Sequence, residues 1–251
     1  MDRRRTLIAL PGLVLASAAA PSALAFKLDG MLGAAKDAAK AATLTDQDVQ
    51  AYAAQMAQHA DAEARVAPAG DKYAKRLVSL TEGLGEEKGL TLNFKVYLTE
   101  EINAFAMADG SIRLYSGLME AMTDDEVRYV IGHEIGHVKK GHSRKRMQTA
   151  LATSATQQAA ASSGGTVGAL AESELGDLMA KVVRAQHSQG NEKEADDYAF
   201  DFMKRRKYDR MAAVTALEKL DQMFGGGQKT DWLSTHPAPK ERAERMRAKL
   251  G

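Results

Sequence analysis

His133, Glu134 and His137 are the residues of this chain whose types and spacing point most directly to chemistry. Positions four apart on an α-helix share a face, so both imidazoles reach one metal ion. Glu134 stands beside the first of them, where its carboxylate takes a proton from water held at that ion. This is the HExxH arrangement of zinc hydrolases. A catalytic zinc takes three protein ligands and keeps one position open, so a third donor is required. The chain has no cysteine, and that donor must therefore be His or a carboxylate.

His142 is the nearest candidate, but the HExxHxxGxxH pattern needs Gly and His where the chain has Lys140 and Ser143. The spacing therefore predicts a helix-end histidine that meets terminal carbonyls. A better donor lies further on, in Glu192-Lys193-Glu194-Ala195-Asp196. Glu192 and Asp196 share a helical face, so Glu192 completes a His/His/Glu site. Asp196 accepts a hydrogen bond from the far nitrogen of a ligating ring and fixes its tautomer. Glu194 falls off that face and reads as solvated. His59 and His187 have no partner at useful spacing and read as surface or core residues. Trp232 reads as a packing anchor, and the scattered methionines read as core.

The elements that position these groups follow from local pattern. Thr123-Asp124-Asp125-Glu126 is a capping box that starts the helix carrying the HExxH. Amphipathic spacing predicts helices over 45–64 and 71–84, then over 172–184, 192–206, 211–224 and 240–250. Leu92 to Leu98 alternates with period two and reads as a strand. Asn103 to Met107 and Ser111 to Tyr115 read as two more, turned at Ala108-Asp109-Gly110. The segment 149–168, of Ala, Ser, Thr, Gln and Gly, has two readings: an Ala-rich helix, or a lid near the site.

His133-Glu134-x-x-His137 followed by Glu192-x-x-x-Asp196 resembles the family-48 zinc metallopeptidases, which include HtpX-, BepA- and LoiP-type proteins. Asn103-Ala104-Phe105-Ala106 with Gly110 and Gly117-Leu118, and Thr235-His236-Pro237 with Arg242, are similar to flanking motifs of that family. The LoiP-type periplasmic members are the nearest likeness. The resemblance implies an α+β, zincin-like (gluzincin) fold, mostly helical, with a small β-sheet carrying a substrate-binding edge strand. It implies one zinc ion per chain and Arg242 as a donor to the developing oxyanion. It implies that Asn103, Ala104, Phe105 and Ala106 bind substrate by strand addition. It also implies that His236 can approach the zinc as an inhibitory fourth ligand. The chain departs from the family at Ala108-Asp109, where Pro-Gly is common, and lacks the Cys that anchors LoiP-type lipoproteins.

Residues 1–25 read as a cleavable export signal: Arg3 to Arg5, an apolar run over 6–20, then Ala23-Leu24-Ala25. The run is shorter than the ~20 residues that span a bilayer. Residues 26–44 form a loose leader, and 45–251 a single peptidase domain. Removing the signal takes the formal net charge from +1 to −1, which leaves no basic field for nucleic acid. The expected partners are unfolded or misassembled envelope polypeptides in the periplasm, with room for peripheral membrane association. Two alternatives stand beside this reading. One is a latent protease-fold protein acting as a chaperone or binding protein; the other is a processing protease of narrow specificity.

Overall fold

A computed structural model describes residues 45–87, 89–153, 172–225 and 231–251. The expected signal and leader lie outside these residues, as do most of the Ala/Ser/Gly segment and the Gly226-Gly227 loop. The described residues belong to one compact unit, 37–251. They are mostly helical with small sheets.

Helix α1 (Asp46–Glu63) begins at a reciprocal capping box between Thr45 and Asp48, and α2 (Lys72–Leu80) at Asp71, whose carboxylate accepts from the Tyr73 amide. A short antiparallel pair follows, β1 (Glu86–Glu87) and β2 (Leu90–Thr91). The main sheet has β3 (Asn93–Tyr97), β4 (Ala104–Ala106) and β5 (Ser111–Tyr115) in the order β3-β5-β4. β3 runs parallel to β5, and β4 antiparallel to it. Gly110, at φ +88°, closes the β4–β5 turn in a conformation that favours glycine.

Among the described residues, six helices follow β5. They are α3 (Ser116–Ala121), α4 (Asp124–Lys139), α5 (His142–Thr153), α6 (Glu172–Arg184), α7 (Gln189–Arg206) and α8 (Met211–Gly225). Two short helices, α9 (Asp231–Thr235) and α10 (Pro239–Ala248), come after them. α7 starts earlier than the spacing predicts because Ser188 caps it through the Asn191 amide. α5 starts at His142 because Gly141, at φ +74°, bends the chain straight into a new helix. Among the described residues, no helix is long and apolar enough to cross a membrane.

Period-two alternation in the sheet divides the interior into two apolar clusters. Val96, Ala104, Ala106, Ile112 and Leu114 face α2, α3, α4, α7, α8 and α10. Tyr97, Phe105 and Met107 face α1, α5 and α6, together with Val49, Met56, Met147, Leu178 and Val182. Arg113 shares this second face. It is buried because Asp61 of α1 accepts from its Nε and Nη2 at 2.8 and 3.0 Å.

The contact that matters most for function is α4 against α7. Gly132 and Gly136 line the α4 face that meets α7. A Cβ on Gly132 would lie 2.7 Å from Phe202 Cδ1, and one on Gly136 would lie 3.0 Å from both Cα and O of Ala195. Glycine costs about 1 kcal/mol relative to alanine inside a helix. Here it permits near-backbone contact between two helices that each carry part of one site.

Candidate metal centre

α4 presents His133, Glu134 and His137, and α7 presents Glu192 and Asp196 one turn apart. The glycine-mediated approach brings the two sets together in the interior. The Nε2 atoms of His133 and His137 lie 3.0 Å apart, and Glu192 Oε1 and Oε2 lie 3.3 and 3.5 Å from His137 and His133. His236, which follows α9, brings Nδ1 to 3.3 Å from His133 Nε2 and 3.2 Å from Glu192 Oε1. One donor atom from each of the four residues lies within 4.8 Å of the others, and all four residues are buried.

These spacings fit a tetrahedral ion. Ligand atoms about 2.0–2.1 Å from zinc stand roughly 3.3 Å from one another. Two imidazole nitrogens and a carboxylate converging in a dry interior need a cation between them. The nitrogen and oxygen donor set suits zinc.

Each ligating ring is held from behind. His133 Nδ1 is 3.0 Å from Asp196 Oδ1, which also accepts from Tyr129 Oη at 2.7 Å. Burial opposes ionisation of Asp196, but the Arg242 charge and the bonds from His133 and Arg242 hold its carboxyl well below the usual range. His137 Nδ1 lies 3.1 Å from His142 Nδ1, and His142 Nε2 lies 3.4 Å from Glu194 Oε2. With Nε2 of His137 turned to the centre, its Nδ1–H donates to His142, whose Nε2–H faces Glu194.

His142 is therefore not the carbonyl-binding helix-end residue that its spacing predicts. The bend at Gly141 swings it back onto His137. Glu194, though exposed, is its partner rather than merely solvated.

His187 is the residue that sequence reasoning missed. Its ring stacks on His137 with centroids 3.7 Å apart and on His236 at 5.2 Å, and Trp232 stacks on the other ring of that pair, His236, at 4.7 Å. Its amide donates to Thr235 O at 2.9 Å, tying the approach to α7 to the end of α9. Burial keeps His187 well below the ordinary histidine range, hence neutral. The one available signal was its position just before the Ser188 cap.

Glu134 is 2% exposed and its Oε1 has no hydrogen-bond partner, although His236 Nε2 stands 3.6 Å away. Burial pushes its carboxyl above the usual value, against the charges of His236, His133 and Arg146. A carboxylate with a free oxygen beside a metal centre is ready to accept a proton.

The surroundings of Arg242 and of β4 bear on two further expectations. Arg242 is held by the acids of α7. Its Nε and Nη2 donate to Asp196 at 2.9 and 2.7 Å, and only Nη1 faces the centre, 2.5 Å from Glu192 Oε2. Two buried carboxylates define its position, so its first task is to orient ligands.

β4 is an edge strand of the β3-β5-β4 sheet. β4 pairs with β5 on one side, yet Ala104, Phe105 and Ala106 are 1–4% exposed and Asn103 is 2% exposed. Their side chains enter both apolar clusters, with Phe105 packed in the cluster of α1, α5 and α6.

Residues 71–250 match the family model of peptidase family M48. The chain is 45% identical over 223 residues to the metalloprotease LoiP of Escherichia coli (strain K12), covering 88% of each. It is 39% identical over 215 residues to the metalloprotease YcaL of the same strain, covering 85% of this chain and 84% of YcaL. It is also 31% identical over 159 residues to the beta-barrel assembly-enhancing protease of that strain. That match covers 60% of this chain and 32% of the relative.

Proposed function

The chain belongs to the metalloproteases of peptidase family M48, and we propose that it is a gluzincin-type endopeptidase hydrolysing unfolded or misassembled envelope polypeptides. His133, His137 and Glu192 hold the zinc, and Glu134 is the general base. The observation that carries this reading is the buried, unpartnered Oε1 of Glu134 beside the converging donors. When bound, zinc supplies Lewis acidity for water and for a peptide carbonyl. Glu134 takes the proton from the attacking water and passes it to the leaving amine. Asp196 and His142 keep the two imidazoles in the tautomers that leave Nε2 free, while Arg242 fixes both acids of α7. Its Nη1, 2.5 Å from Glu192 Oε2, shares its charge between that ligand and negative charge developing on substrate.

The export signal over 1–25, the leader over 26–44 and the peptidase domain over 45–251 belong to the same proposal. The beta-barrel assembly-enhancing relative supports the envelope setting. A substrate strand adds to the outer side of β4, where Asn103 and Phe105 line a cavity of about 360 Å³ between α1 and α6.

His236 favours a second reading. It is buried among the ligand atoms, where a fourth protein donor displaces water and silences the site. The protein is then latent until its α9 segment withdraws, and a chaperone-like or narrowly specific role becomes compatible with the same fold.

One experiment separates these readings. The mature protein is purified, its zinc counted, and its digestion of casein compared with that of Glu134→Gln and His236→Ala variants. Glu134→Gln should keep zinc and lose at least about 10³-fold in rate, within the range of a lost general base. Digestion persisting in that variant would overturn the mechanism. His236→Ala should digest faster; unchanged or slower digestion removes the switch.

A further inference from the structure

Between α5, α6 and the start of α7 lies a cavity of about 390 Å³ whose chemistry the peptidase mechanism leaves unused. Its inner residues are His142 and His187, the two rings set against His137, so it adjoins the metal centre. Among the described residues, Lys145, Arg146 and Lys181 line it, and no Asp or Glu does. Glu194 reaches His142 but is not part of the lining. Asn191 brings in the first turn of the eighteen-residue α7, whose dipole adds positive potential.

Arg146 is the informative member. Its Nη1 donates to Ala185 O at 3.1 Å, while its Nε is buried with no hydrogen-bond partner. Arg113 and Arg242, the other arginines seated deep in the fold, are each matched to a carboxylate, Asp61 and Asp196. Among the described residues, Arg146 has no such match. An unsatisfied buried donor on a charged group is costly, and a visiting acceptor would recover that cost. Arg146 shares the cavity lining with His142 and His187, the rings set against His137.

We propose that this cavity is a substrate subsite for a carboxylate of the polypeptide near the cleaved bond, with Arg146 as anchor and Lys145 and Lys181 at its mouth. The proposal rests on the peptidase reading above and adds a specificity to it. The carboxylate has two sources: an acidic side chain, or the α-carboxylate of a chain end.

The test uses fluorescein-labelled peptides of one sequence, with Glu or Gln at successive positions and with free or amidated C-termini. Binding to the zinc-loaded Glu134→Gln protein is followed by anisotropy, and cleavage is measured with the unsubstituted protein. Carboxylate-bearing peptides should bind about tenfold more tightly than neutral ones, as expected for a charge-assisted hydrogen bond. A preference carried by the amidated Glu peptide identifies the side chain; one carried by the free-ended Gln peptide identifies the chain end.

Adding Arg146→Gln should bring the affinity ratio to about one, and Lys145→Gln with Lys181→Gln should lower it a few-fold. Equal binding of all peptides overturns the subsite, as does a ratio that survives Arg146→Gln. If Arg146→Gln does not fold, an unchanged ratio in the exposed lysine pair overturns it instead. Casein digestion tests the peptidase reading separately. An active protein indifferent to carboxylates sinks the subsite alone, whereas carboxylate-selective binding by a protein that cuts nothing sinks the peptidase reading alone.

Discussion

On one side of the metal centre, α4 and α7 meet at backbone distance through Gly132 and Gly136; on the other, α1, α5 and α6 meet the sheet through side chains. The first contact carries all three expected zinc ligands and has no slack. A shift of a few tenths of an ångström there changes every donor spacing. The second carries Met147, Leu178 and Val182 against Phe105 and Tyr97, with the Asp61–Arg113 pair at its border. Apolar contacts of this kind can part and re-form without moving a ligand. The difference suggests a division of labour: α4 and α7 define the chemistry, and α5 and α6 control access to it.

The strongest way to break this division is Gly136→Val. A Cβ there already meets Ala195 at 3.0 Å and Tyr198 Cβ at 3.2 Å, and valine adds two methyls. Overpacking should cost about 3 kcal/mol and drive α7 away from α4. Zinc content should fall from one per chain to near zero, with casein digestion lost. A variant that folds and keeps its zinc would show that the glycine contact does not set the ligand spacing.

The centre was legible in the sequence because helix periodicity converts spacing into a shared face. His133 with His137, and Glu192 with Asp196, need nothing beyond the helices that carry them. The same logic fails for His142 and His187. Their contacts with His137 depend on the positive φ of Gly141 and on the turn from α6 into α7, which are tertiary facts. Arg242 announced a charge but not its direction, which two buried carboxylates decide. For the strands, alternation marked β3, and the turn at Ala108-Asp109-Gly110 marked β4 and β5. It could not give the order β3-β5-β4 or the parallel pairing of β3, because pairing partners are not written in a strand's own period.

Leu178→Ala probes the covering side. Leu178 is fully buried in the cluster of α1, α5 and α6. Truncation should cost about 2–3 kcal/mol, since a partly collapsed cavity replaces the lost contacts. The centre is 0–2% exposed, so a chelator reaches zinc only when its surroundings open. Removal of zinc by phenanthroline should therefore speed up about tenfold, while zinc content before challenge stays at one per chain. An unchanged removal rate would mean that this layer does not control access.

The mildest test acts on the border between the two sides. Asp61 is partly buried and accepts from Arg113, from Lys95 at 2.7 Å and from Tyr97 Oη at 2.8 Å. Burial raises its pKa, but the bonds from Arg113, Lys95 and Tyr97 outweigh that and leave its carboxyl below the ordinary value of 3.8. A folded-state pKa below the unfolded one means that the contribution is complete above pH 3.8 and is lost as pH falls through the folded value. Asp61→Asn should therefore destabilise the protein by about 2 kcal/mol at neutral pH. That is less than for a fully enclosed pair, because Asp61 and Lys95 keep contact with water. The gap from the unsubstituted protein, measured by urea unfolding, should narrow below pH 3.8, and zinc content at neutral pH should not change. A gap that stays constant with pH would assign the loss to packing rather than charge, and lost zinc at neutral pH would show that α1 and the sheet hold the ligands as well as the cover.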